Sequence, residues 1–210
     1  MSLSCVHTAV NNAVKNNVKR IDAMKQPVSD RNRTPNRIFE ENARVIGQLV
    51  RLLDQMPGAL YRQCFGARNQ HVIGKHVRHI IDHYSALLAV ASGAGGLLDY
   101  EDRNRDLTLE TDRRAARNYL KETVQALRSL VEGPCANELD MRHNSAGEHL
   151  VVKTSVEREL VFLVSHTIHH MAIIGMLAEQ AGVEVDADFG VHPSTLRYME
   201  EQAVSLARSA

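Results

Sequence analysis

The chain has 210 residues, enough for one domain with a full hydrophobic core, and its 44% apolar and 24% charged content is ordinary for a soluble globular protein. Its 25 basic and 25 acidic residues cancel, and with 4% aromatics and no tryptophan it lacks the stacking platforms of single-strand nucleic-acid binders. Cys5, Cys64 and Cys135 form no CxxC pair, which argues against a disulfide framework or a zinc ribbon and fits a reducing cytoplasm.

Along the chain, Val6, Val10, Val14, Val18 and Ile21 recur at helical spacing among Asn and Lys, predicting a polar N-terminal helix over 5–25. Residues 1–37 carry seven Lys/Arg against Asp22 and Asp30, a basic arm best read as a solvated helix face and linker rather than a nucleic-acid contact. Thr34-Pro35 opens a helix that Pro57-Gly58 stops near Met56. A second helix is expected from Gln70 to Ala91, and a charged connection leads to a third from Asp112 to Val131.

The run "ELDMRHNSAGEHLVVKT" turns at "NSAG" between two extended stretches, a small β-hairpin. Thr154 with Glu157 then makes a capping box for a fourth long helix, to about Ala181. A C-terminal helix capped by Ser194 closes the chain. The expected fold is all-α: an up-down four-helix bundle over 34–210, preceded by the basic helix and linker of 1–33. No run approaches ~18 consecutive apolar residues and no hydrophobic signal core stands at the N-terminus, so a cytoplasmic protein without a membrane partner is expected.

The chain has eleven histidines, and several cluster. In "SHTIHHMAIIGML", His166 and His170 lie about 40° apart on a helix, on the face that also holds Leu163, Ile173, Ile174 and Leu177. In "GKHVRHIIDHY", His76, His79 and His83 fall within an arc of about 60° that includes Ile80 and Leu87. Unpartnered buried imidazoles cost roughly 1–3 kcal/mol each, so two facing helices with inward histidines point to a shared metal ion. His71, His143, His149 and His192 sit at element ends or in loops, where exposure explains them. An HExxH protease mechanism is excluded, because Thr167 follows His166 where the general base would stand. Glu159, two turns before His166 on the same face, and Asp82, beside His79, are candidate catalytic or orienting carboxylates. Tyr100, Arg103 and Arg105, on the loop after the second helix, are candidate substrate-binding groups; the arginines suit a carboxylate clamp.

"GKHVRHIIDHY" and "RELVFLVSHTIHHMAIIGMLAEQAGVE" resemble the two histidine motifs of the DinB-like (DinB/YfiT-like) metalloenzyme family, over about Ile38–Tyr198. The resemblance implies a four-helix bundle, often homodimeric, with a divalent metal held by His79, His166 and His170. His76 or His83 replaces His79 if the register shifts by a turn, and His169 matches a non-ligand position. It further implies a zinc, nickel or iron cofactor acting on a small-molecule substrate, with a low-molecular-weight thiol as co-substrate in the transferase relatives. Three imidazoles leave an open coordination position, which suits catalysis. The expected function is thiol (S-) transfer or hydrolysis on a small molecule. The rival is a non-catalytic, metal-binding stress-response or interaction protein, whose site a fourth ligand would close.

Overall fold

Apolar spacing and Gly/Pro punctuation set most of the element boundaries. The computed structural model describes residues 33–92, 96–102, 104–132 and 138–209, so the expected N-terminal helix over 5–25 lies outside the described residues. Residues Pro35–Ala210 form one compact unit.

Helix α1 (Arg33–Gln55) ends just before Pro57, and a single turn, α2 (Gly58–Tyr61), follows. A two-residue antiparallel ladder joins β1 (Cys64–Phe65) to β2 (His71–Val72). It takes up the start of the expected second helix, so α3 runs Ile73–Ala91 rather than from Gln70. The charged connection is partly ordered, as β3 (Leu97–Asp99) and the short α4 (Leu107–Thr111), which Asp106 caps by accepting from Thr108 N. Helix α5 (Arg113–Glu132) precedes the hairpin, β4 (Glu138–Ser145) and β5 (Glu148–Ser155). Ala146 and Gly147 turn the hairpin at positive φ (51° and 86°), as a two-residue type I′ connection requires. Strand β3 pairs parallel to β4, bringing the loop after α3 up to the hairpin. Helices α6 (Val156–Gln180) and α7 (Pro193–Ser209) complete the chain.

Two caps differ from expectation. Ser155, not Thr154, caps α6, its hydroxyl accepting from Arg158 N at 3.2 Å. Thr154 instead turns its hydroxyl to Glu159, because β5 holds it in the ladder opposite Leu139. Helix α7 starts at Pro193, so Ser194 lies inside its first turn and its N–H donates to the His192 ring at 3.2 Å.

Seven helices and two small sheets make the described residues mostly helical. Helix α3 packs against α4, α5 and α6. Helix α1 adds Phe39, Ile46, Leu49 and Leu53 to the same core. Helix α6 is strongly apolar, and Leu160, Leu163, Met171 and Ile174 on it are buried in the core.

A buried polar network sets the register of α6 against α1 and α3. Asn42 on α1 donates to Ile38 O (2.8 Å) and to Leu160 O on α6 (3.2 Å), and accepts from Tyr84 OH on α3 (2.7 Å). Thr167 donates to the same Tyr84 oxygen at 3.3 Å. Tyr84 and Thr167 each adjoin a histidine of the site, His83 and His166, so the network holds the histidine-bearing helices in place. Asn42→Ala removes its central acceptor and is expected to cost about 2–3 kcal/mol in urea unfolding. A cost below 0.5 kcal/mol, the usual range of an exposed position, would contradict this role.

Candidate metal centre

The i, i+4 repeat on α6 and the i, i+3, i+7 spacing on α3 set two rows of imidazoles against each other, because the two helices pack face to face. His79 Nε2 and His166 Nε2 stand 3.2 Å apart. His76 Nδ1 and His170 Nδ1 stand 3.0 Å apart. His170 closes the two rows into one patch, its ring centroid 4.5 Å from that of His79 and 4.7 Å from that of His166. His83 is buried, its ring 4.1 Å from His166 and 4.4 Å from His79. Its Nδ1–H donates to the His79 carbonyl at 2.8 Å, which leaves Nε2 as the nitrogen with a lone pair. His79, His83 and His166 each offer a ligand atom within 4.8 Å of the other two. His169 is exposed, with its ring 5.1 Å from that of His170.

The donor set fits a divalent cation. Two nitrogens bound to one ion at about 2.0–2.1 Å in tetrahedral geometry stand about 3.3–3.4 Å apart, close to the His79–His166 separation. Burial, with the neighbouring His166, His76 and His169 adding to it, pushes the His170 pKa down to about 3. Burial, then His71 and His169, lowers that of His76. Both rings are therefore neutral near pH 7, the form that ligates a metal.

One wall of the site is aromatic. Tyr100 stacks on His83 at 5.1 Å, and Phe162 stacks on His166 at 5.5 Å. The Tyr100 hydroxyl donates to Glu159 Oε2 at 2.9 Å. Glu159 is wholly buried and also accepts from Thr154 (2.5 Å) and Arg158 (2.8 Å). It thus has Arg158 as an ion-pair partner, together with a path through Tyr100 to His83. Burial, then the adjacent Glu159 carboxylate, drives the Tyr100 pKa well above the usual phenol range, so the hydroxyl keeps its proton. Tyr100→Phe keeps the stack on His83 but strips Glu159 Oε2 of a donor. It is expected to destabilise the fold by about 1–3 kcal/mol in chemical denaturation, and unchanged stability would contradict the importance of that bond.

Asp82 is buried and accepts from Arg78 at 2.6 Å, and Arg78 also pairs with Glu110 at 3.1 Å. Arg105 is exposed at the loop surface and reaches the Glu101 carbonyl at 3.4 Å. Arg103 lies outside the described residues. His71, His143, His149 and His192 are exposed, as their positions in the sequence suggest. The partnership of His76 with His170 was not anticipated; the only hint was that His76 shares an arc with His79 and His83.

The sequence pattern of the DinB superfamily matches residues 41–174, a span that includes α3 and most of α6 with every histidine of the cluster. The chain belongs to the DinB superfamily. Residues of this DinB-superfamily chain are also similar to a protein of Rhizopus delemar (strain RA 99-880 / ATCC MYA-4621 / FGSC 9543 / NRRL 43880) described as FK506-binding protein 5, at 30% identity over 113 residues. That alignment covers 50% of this chain but 28% of the fungal protein, so the chain spans well under a third of that relative.

Proposed function

We propose that the chain is a metal-dependent enzyme in which His79, His166 and His170 hold one divalent ion of zinc, nickel or iron. A small molecule reacts beside it by thiol (S-) transfer or hydrolysis. The observation that carries this reading is the convergence of His79 Nε2 and His166 Nε2 to 3.2 Å from two facing helices. A divalent ion there supplies Lewis acidity to a thiol or water bound beside it. The chain's own groups do the rest. Tyr100 and Phe162 form a wall against His83 and His166. Glu159 fixes Tyr100 as a protonated donor. Arg105, with Arg103 on the same loop, is the proposed clamp for a carboxylate of the thiol or substrate. Asp82 acts indirectly, holding Arg78 beside the histidine row of α3.

The frame proposed with it is an up-down four-helix bundle of α1, α3, α5 and α6, acting as a cytoplasmic homodimer with no nucleic-acid or membrane partner.

A second reading has its own observation. His83 joins His79 and His166 within 4.8 Å, so a fourth imidazole can close the open position and leave a metal-binding protein without turnover. Zinc-loaded protein assayed with low-molecular-weight thiols against electrophilic and ester substrates separates the two. Thiol consumption or hydrolysis that disappears with chelator supports the enzyme. A loaded protein that stays inert, and remains so in His83→Ala, supports the binding protein.

A further inference from the structure

We infer that His76 is a positioning residue that sets the tautomer and ring direction of His170; this rests on the metal-binding reading above. His76 and His170 meet through their Nδ1 atoms at 3.0 Å, and a contact this short between neutral imidazoles needs one proton between the two nitrogens. Two arrangements satisfy it. If His76 donates, the His170 proton sits on Nε2, and no lone pair is left for a cation. If His170 donates, its Nδ1–H is spent on His76, and Nε2, on the far edge of the ring, keeps its lone pair.

The surroundings select the second arrangement once an ion is bound. The His170 ring lies edge-on to both His79 and His166, at interplanar angles of 73° and 74° and centroid distances of 4.5 and 4.7 Å. With Nδ1 engaged by His76, His170 can serve as a ligand, as proposed above, only through its Nε2 lone pair, and its Nδ1 proton must then have an acceptor. Ligating histidines commonly give their other N–H to a carboxylate or a carbonyl. Here the acceptor is another histidine, supplied from α3, one turn before His79. His76 is half-buried rather than sealed in the core, so replacing it leaves the hydrophobic packing largely intact.

His76 therefore ties the α6 ligand to the α3 helix without itself contacting the ion. His79 lies against His166, whereas His76 lies against His170, one turn towards the start of α3.

The test compares zinc affinity, by chelator competition, and zinc stoichiometry for wild type, His76→Ala and His76→Gln, with circular dichroism to confirm the fold. The expected result is one ion per chain in all three, with affinity about 10–100-fold weaker in His76→Ala. His76→Gln, whose amide oxygen can accept the Nδ1–H, should recover at least part of the loss. Substitution of cobalt for zinc should show an altered ligand-field spectrum in His76→Ala, which a purely structural role would not produce. Unchanged affinity and spectrum in a folded His76→Ala would overturn the inference. So would two ions in wild type and one in the variant, since His76 would then itself be a ligand. Wild type that binds no zinc would overturn the metal reading itself, a result distinct from the other two.

Discussion

His79→Ala/His166→Ala is expected to lose divalent-ion binding while keeping its helical content. A complete structural zinc site is worth about 10–16 kcal/mol, or roughly 3 kcal/mol per donor, so removing two donors weakens affinity by about 10⁴-fold. Both residues are half-buried rather than sealed in the hydrophobic core, so the apo fold is not expected to suffer greatly. The second readout is linkage. An ion at a hundred times its dissociation constant stabilises the native chain by about 2.7 kcal/mol. For a chain of this length that is a rise of about 5–11 °C in Tm. Wild type should show that rise with zinc and lose it with chelator, and the double variant should show neither. A variant that still gains stability from zinc would place the ion elsewhere.

Gly74→Ala is expected to destabilise the fold by about 3 kcal/mol, a fall of about 6–12 °C in Tm. The direction carries the argument. Glycine inside a helix normally costs about 1 kcal/mol relative to alanine, so replacing it should stabilise the chain. At Gly74, a Cβ would stand 2.0 Å from the Glu110 carbonyl oxygen and 3.0 Å from Tyr61 Cε1. The oxygen belongs to the backbone of α4 and cannot swing aside. The Tyr61 hydroxyl, bonded to Leu109 O at 2.6 Å, ties the same segment down. Room for a methyl group would come only by moving α4 off α3, and with it Glu110, the partner of Arg78. Gly47 on α1 is the internal control, because its Cβ would meet nothing closer than Arg51 at 3.8 Å. Gly47→Ala should therefore stabilise by up to about 1 kcal/mol. Equal effects at the two glycines in thermal unfolding would show that α4 does not press on α3.

What the sequence made legible was mostly local. The histidines of α3 and α6 announce themselves because a helix brings residues i and i+4 onto one face, and apolar neighbours tell which way that face points. The hairpin was readable from "NSAG", whose Ala146-Gly147 pair makes the turn. Contacts set by non-local packing were not readable. Spacing along the α6 axis places Glu159 about 10 Å from His166, and no local rule reveals that β3 returns Tyr100 to bridge the gap. Thr154 looks like a cap because Glu157 stands three residues on, yet its pairing with Leu139 turns it to Glu159 instead. The start of α3 moved to Ile73 because β1 offered β2 a two-residue ladder, too short to leave a period in the sequence. His83 and His76 look alike on a helical wheel. Only the partner atoms, the His79 carbonyl for one and His170 Nδ1 for the other, distinguish them.

The most direct measurement is the metal content of the wild-type protein, by elemental mass spectrometry, as purified and after dialysis against zinc, nickel and iron(II). The account predicts close to one divalent ion per chain, removable by chelator and restored on reloading. No ion in any preparation of folded protein would contradict it, and the facing histidines would then be hydrogen-bonded core residues of a helical protein.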